Sequence, residues 1–207
     1  MVLQHHNIPT APFTCIPPRE SWPNSGAYDP LSAIEERSRH REALASFPLF
    51  VKPAASSSGA GIDQGNKATD KDELASIIDR ISRKCPKQTL LVETFLTGRE
   101  FTVGIIGTGA DAVVIGVCEL IYLDGMDVYG QNAKFVGSEN PQHIFLDMSE
   151  PDARSVAQVA LDAWTALGCC DGGRVDIRHD SMGPNARPHV IEVRSFQALY
   201  LSFQSFD

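Results

Sequence analysis

Three apolar runs, "TLLVETF", "EFTVGIIG" and "DAVVIGVCEL", follow one another between Thr89 and Leu120, separated only by the turn-forming stretches "LTGR" and "TGAD". Each run is rich in β-branched residues and reads as a strand. A connection of a few residues joins neighbouring strands only in antiparallel fashion, because a parallel pair needs a crossover of a dozen residues or more. The sequence therefore predicts consecutive antiparallel strands here. Gly104, Gly107 and Gly109 have a spacing reminiscent of a dinucleotide-binding loop, but a strand follows them where that fold requires a helix. A hairpin turn is the better account.

The stretch "GGRVDIRHDSMGPNARPHVIEVRS", Gly172 to Ser195, strengthens the antiparallel reading. Two runs, Arg174 to His179 and Pro188 to Val193, alternate with period two around a turn of Gly, Pro and Asn. In a hairpin symmetric about Pro184, Asp176 lies opposite Glu192, with Cβ atoms roughly 5 Å apart on one face. The same symmetry sets Arg194 against Arg174. Two facing carboxylates repel, so one stays protonated, both project into water, or a cation sits between them. The hairpin alone leaves the three open.

Helical patterns separate these strands. Asp70 and Glu73 form a capping pair, and Leu74, Ile77, Ile78 and Ile81 share one face before Cys85-Pro86 ends the helix. A second helix is predicted from Ser149, with Asp152 as capping partner, burying Val156, Val159, Ala160 and Ala163 and stopping at Gly168. The charged stretch Leu31 to Ser46 reads as one solvated helix before the strand "PLFVKP", and "FTCI" as an early strand. There is no internal repeat. The predicted class is α+β, with two helix-covered antiparallel sheets.

An apolar content of 43% over 207 residues is enough for one domain or two small lobes. The net charge of −8 argues against a general nucleic-acid or anionic-membrane surface, so an anionic ligand has to be bound locally. Five cysteines without paired metal-type spacing read as reduced, mostly buried thiols. No apolar run approaches membrane-span length, and "MVLQHHNIPT" lacks the features of a signal peptide. These observations predict a cytoplasmic protein with no membrane or nucleic-acid partner.

Taken in order, "FPLFVKPAASSSGAGI", "LLVETFLTGREFTVGIIG", "NAKFVG" and "ALGCCDGGRVDIRHD" with "HVIEV" resemble the ATP-grasp superfamily, specifically the D-alanine:D-alanine ligase family. The resemblance runs from "IPTAPF" to Val193. It implies an ATP-grasp fold in which two α+β lobes with antiparallel sheets sandwich the nucleotide. Residues 1–30 would be a lead-in after a missing N-terminal domain, 31–92 the small lobe, and 93–207 the large lobe, truncated or divergent after 193. The implied ligands are ATP, Mg²⁺ and small amino-acid substrates, and the resemblance leaves a homodimer open.

The resemblance also implies roles. Lys52 would meet the α- or β-phosphate, with backbone N–H groups around Ser57, Ser58, Gly59 and Gly61 covering the phosphates. Glu93, Phe95 and Leu96 would read adenine, and Glu100 would accept the ribose hydroxyls. Lys134 would approach the transferred phosphoryl group, with Tyr129 in the same loop, and Ser58 joins it among the catalytic residues. Arg174 would stabilise the acyl-phosphate and the tetrahedral intermediate. Asp176 and Glu192 would be the Mg²⁺ ligands. On residue type alone, Glu93 and Glu100 are equally readable as exposed acids at strand ends.

The chain departs from the family pattern in three places. The chain begins at a segment matching the end of the family's N-terminal domain, so the resemblance implies that the part binding the first substrate would be missing. Arg194 stands where the family has a metal-binding asparagine, and no arginine ligates a metal. Phe135 stands where many relatives carry a tyrosine, which within the family goes with tolerance for hydroxy-acid acceptors. The leading expectation is an ATP-dependent ligase forming a dipeptide, or a related amide or ester, through an acyl-phosphate. Arg194 suggests the alternative of a nucleotide-binding relative without catalysis, and the abrupt ends suggest a truncated, partly stable product.

Overall fold

The computed structural model describes residues 2–23, 29–55, 63–122 and 142–196. In chain order the elements are α1 (Val2–His5), β1 (Phe13–Ile16), α2 (Pro30–Arg37), α3 (Arg41–Leu44), β2 (Leu49–Pro53), β3 (Lys67–Ala68), α4 (Lys71–Lys84), β4 (Leu90–Thr94), β5 (Glu100–Ile106), β6 (Val113–Ile121), β7 (Gln142–Phe145), α5 (Pro151–Ala166), β8 (Gly172–His179) and β9 (Pro188–Ser195). They form two compact units. One holds the described residues from 12 to 95, and the other holds 2–11, 96–122 and 142–196. Both are α+β with wholly antiparallel strand ladders.

The first unit has a four-stranded sheet in the order β1-β4-β2-β3, backed by α4. Asp70 caps α4 by accepting the Glu73 N–H at 2.8 Å. The return bond goes to Thr69 instead of Asp70: the Glu73 carboxylate accepts the Thr69 N–H and hydroxyl at 2.8 and 2.7 Å. Leu74, Ile77, Ile78 and Ile81 are all buried, against Leu49, Val51, Leu90 and Val92. The expected single helix over Leu31 to Ser46 is two, α2 and α3. The break falls at Ser38, which is extended and whose hydroxyl accepts the His40 N–H at 3.1 Å, the kind of local bond with which serine competes against helix.

The second unit has a five-stranded sheet in the order β7-β6-β5-β8-β9, with α5 on one face. Its core joins Phe101, Val103, Ile105, Val117, Val175 and Ile177 to Val156, Ala160, Ala163 and Trp164. The indole of Trp164 donates to the Gly107 carbonyl at 3.1 Å, anchoring the β5–β6 turn. Gly107 has φ 99°, and a Cβ there would stand 2.4 Å from the Asp111 carbonyl, so the turn needs glycine. The hairpin reading of these glycines holds.

Several expectations need correction. The "LTGR" stretch does not join strands of one sheet, since β4 and β5 belong to different sheets. Gly98 there bonds to the His179 carbonyl at 3.1 Å, and a Cβ would collide with the Ser181 carbonyl at 2.3 Å. The link is therefore packed on the end of β8. Helix α5 starts at Pro151, not Ser149, and Asp152 makes an ion pair with Arg99 instead of capping it. Strand β7, an exposed edge, and α1 were not expected. Of the five free cysteines only Cys118 is buried, and Cys15 is exposed on the edge strand β1. No helix among the described residues is long and apolar enough to cross a membrane.

Candidate functional site

Alternation along the second unit's strands sends one set of side chains to α5 and the other to the opposite face. On that opposite face the register forms rows. Glu100 lies between Leu120 and Arg178, Thr102 between Cys118 and Asp176, and Gly104 between Gly116 and Arg174. Asp176 continues its row to Glu192, and Arg174 continues to Arg194. A register shift between Asp176 and Ile177 interrupts the β8–β9 ladder just beyond these pairs.

Asp176 is nearly enclosed, its side chain 11% exposed. Burial pushes its carboxyl above the usual aspartate range, against the opposing pull of Arg174 and the Thr102 hydroxyl. That hydroxyl donates to Oδ1 at 2.8 Å, and Nη2 of Arg174 lies 3.2 Å from Oδ2. The same Nη2 is 3.8 Å from Glu192 Oε2, while Arg194 Nε donates to Glu192 Oε1 at 2.8 Å. Of the three ways for facing carboxylates to coexist, this structure shows a cation between them, and the cation is the Arg174 guanidinium. Among the described residues no group of three or more His, Cys, Asp or Glu side chains gathers as a metal site. A divalent ion held here would rest on the two carboxylates and on oxygens brought by a ligand, which is a usual arrangement for Mg²⁺.

Glu100 is not an exposed acid. Its side chain is 11% exposed and pairs with Arg178 Nη1 at 3.3 Å, while Arg178 Nε donates to the Gly98 carbonyl at 3.2 Å. Tyr122 follows β6, and burial together with the negative charge of Glu100 pushes its hydroxyl pKa far up. Half-buried and paired with Arg178, Glu100 is held in place.

In the first unit, Lys52 on β2 and Glu93 on β4 are diagonal neighbours, because Lys52 stands opposite Leu91 and Glu93 opposite Phe50. Lys52 Nζ is 2.7 Å from Glu93 Oε1, with side chains 16% and 14% exposed. Neither is a plain surface charge. Phe95 packs its ring 6.0 Å from that of Phe50, and Lys67 Nζ sits 4.4 Å over it. The Phe95 N–H is taken by the Pro48 carbonyl at 3.1 Å, whereas the N–H of buried Leu96 bonds to nothing among the described residues.

The structure thus brings Glu100, Arg174, Asp176 and Glu192 onto one sheet face, and Lys52 onto Glu93 in the other unit. Ser57, Ser58, Gly59, Gly61, Tyr129, Lys134 and Phe135 lie outside the described residues. Sequence reasoning missed Thr102, Arg178 and Tyr122. Extending the period-two pattern from Glu100 to Thr102, and from Asp176 to Arg178, would have found the first two.

A family profile described as "D-ala D-ala ligase C-terminus" matches residues 2–192. The D-alanine–D-alanine ligase of Bordetella petrii is 30% identical over 149 residues, covering 72% of this chain and 43% of that protein. Among solved structures, the D-alanine–D-alanine ligase of Bacillus anthracis complexed with ATP superimposes with a TM-score of 0.60 at 19% identity, covering 94% of this chain and 53% of that one. The VanG D-Ala:D-Ser ligase of Enterococcus faecalis gives a TM-score of 0.66 at 21% identity, with coverages of 94% and 50%. The chain spans about half the length of the curated relatives it matches.

Proposed function

Because this chain belongs to the family of D-alanine–D-alanine ligase C-terminal domains, we propose that it binds Mg²⁺–ATP and is the nucleotide-binding part of an ATP-grasp carboxylate–amine ligase. The supporting observation is the single sheet face carrying Glu100, Arg174, Asp176 and Glu192. Glu100, oriented by Arg178, accepts the ribose hydroxyls, and Asp176 with Glu192 would hold Mg²⁺. When bound, that ion neutralises phosphate charge. Lys52 serves the α- or β-phosphate, and Glu93, Phe95 and Leu96 read adenine. Since Lys52 is held by Glu93 at 2.7 Å, phosphate binding replaces one anion at its ammonium by another.

The proposed reaction transfers the γ-phosphoryl group of ATP to the carboxylate of a small D-amino acid, leaving ADP and an acyl-phosphate, which an amine then attacks with release of phosphate and a proton. Arg174 stabilises the negative charge that builds on the acyl-phosphate and on the tetrahedral intermediate. Ser57, Ser58, Gly59 and Gly61 cover the phosphates, and Lys134 with Ser58 serves the transfer itself. A cytoplasmic location belongs to the same reading. A second reading, nucleotide binding without ligation, is favoured by one contact: Arg194 occupies Glu192 Oε1 at 2.8 Å.

Thermal melts with and without Mg²⁺–ATP test the nucleotide site, because a ligand that binds only the folded chain raises its melting temperature. The native chain should be stabilised and Lys52→Ala much less so. No shift in the native chain, or an equal shift in both, rejects the assignment. D-alanine-dependent phosphate release then separates the ligase from the silent binder.

A further inference from the structure

Four charged side chains of the β8–β9 hairpin occupy two adjacent rows of one sheet face: Arg174 beside Arg194, and Asp176 beside Glu192. Their formal charges sum to zero. The contacts link them in the order Asp176, Arg174, Glu192, Arg194, so that cation and anion alternate. The Thr102 hydroxyl completes the set, and each of the four carboxylate oxygens has a cation or a donor within 3.8 Å. The two arginines differ in what they hold. Arg174 bridges both acids, whereas Arg194 bonds the acid two residues before it on the same strand.

A divalent cation coordinates through those same carboxylate oxygens. The guanidinium of Arg194 covers one of them, and it repels a second positive charge placed a few ångströms away. Arginine does not lose its proton in proteins, so this competition persists at every working pH. The side chain is also only 20% exposed, which limits how far water screens it.

We propose that Arg194 is a resident counter-ion of the phosphate site. It competes with a divalent cation for Glu192, lowers the site's cation affinity, and supplies its own positive charge to a nucleoside triphosphate. The phosphate half of this statement rests on the nucleotide reading above, while the hold on Glu192 does not.

Mn²⁺, followed by its electron paramagnetic resonance signal, is the probe for the cation half, without nucleotide and on the full 207-residue chain. Arg194→Asn should bind Mn²⁺ at least about tenfold more tightly than the native chain, as expected for loss of a nearby like charge. Arg194→Lys, which keeps the charge, should stay near native. If Arg194→Asn does not fold, Arg194→Leu carries the same expectation. Superimposable native and charge-free curves overturn the proposal.

Calorimetric ATP titrations address the phosphate half. The native chain should lose about twentyfold in ATP affinity when EDTA replaces Mg²⁺, whereas Arg194→Asn should lose about two-hundredfold. Equal losses in the two chains overturn the proposal. If ATP binds in neither condition, the nucleotide reading fails and the phosphate half falls with it. The Mn²⁺ curves still decide whether Arg194 keeps cations from Glu192.

Discussion

Replacing Asp176 by asparagine should make the ligand-free chain more stable and remove most of its response to Mg²⁺–ATP. The carboxylate is nearly enclosed, and its raised pKa means that the folded chain disfavours the charge relative to water. A carboxyl whose folded pKa lies above its unfolded value costs stability once the pH rises past that unfolded value, and neutral pH lies well past it. In Asp176→Asn the amide oxygen still accepts from Thr102, and Arg174 keeps Glu192 at 3.8 Å. What goes is the penalised charge, together with its attraction to Arg174. A net gain of about 1 kcal/mol is typical when a functional site is relieved of such strain, and it raises the melting temperature of a chain this long by roughly 2–4 °C. With ATP at about a hundred times its dissociation constant, the native chain gains about 2.7 kcal/mol more, and the variant should keep less than half of that. Scanning calorimetry of both chains, with and without Mg²⁺–ATP, measures each quantity. A variant less stable than the native chain in the absence of ligand refutes the reasoning, because Arg174 and Thr102 would then more than offset burial.

Two predictions concern the frame that carries the site. Ile78 is 1% exposed beneath the four-stranded sheet, so Ile78→Ala should cost about 2–5 kcal/mol in urea unfolding, and a loss below about 1 kcal/mol would contradict the packing of α4. His179 is buried with its ring 4.9 Å from Phe101, and burial holds its pKa below the ordinary 6.5. The unfolded chain therefore takes up the proton first, so the stability tied to neutral His179 is complete above pH 6.5 and is lost as the pH falls towards the lowered folded value. Asp152, Arg99, Asp180 and Glu119 set the surrounding field. The urea midpoint of the native chain should fall over that window and that of His179→Gln much less; equal slopes would sink the assignment.

What could be read from the sequence was what short-range chemistry decides. The Asp70 cap, the buried stripe of α4 and the Gly107 turn each depend on residues a few positions apart. The pairing of Asp176 with Glu192 follows from a hairpin symmetric about Pro184, yet the ladder next to the turn is one residue off that symmetry and the shift between Asp176 and Ile177 restores it, which alternation alone does not reveal. The "LTGR" link was misread because its length says nothing about whether its strands share a sheet; the close approach of Gly98 to His179 and Ser181 decides that. The same limit hid the partners of the site. Glu100 looks like an ordinary strand-end acid until Arg178 is beside it, and Glu93 until Lys52 reaches across from β2. The reading of Lys52 as a phosphate ligand came from resemblance, and its carboxylate partner came only with the fold.

Near its turn the β8–β9 ladder pairs Ile177 with Val190, Arg178 with His189 and His179 with Pro188, and past the shift it pairs Asp176 with Glu192. One residue, Ile191, is surplus on β9. Carried on with Ile191 inside the ladder, the register from the turn would set Ile191 opposite Asp176 and Glu192 opposite Val175, on the side that packs against α5, and would turn Arg194 inward as well. The hairpin is thus governed by which residue stands outside the ladder more than by how that residue is spelled. Exchanging Ile191 for another β-forming residue leaves every neighbour on its side of the sheet, and deleting its codon would straighten the ladder with Glu192 still opposite Asp176 and Arg194 still opposite Arg174. Drift in this gene can rewrite the letter at position 191 or even lose it, as long as the letters after it keep their side.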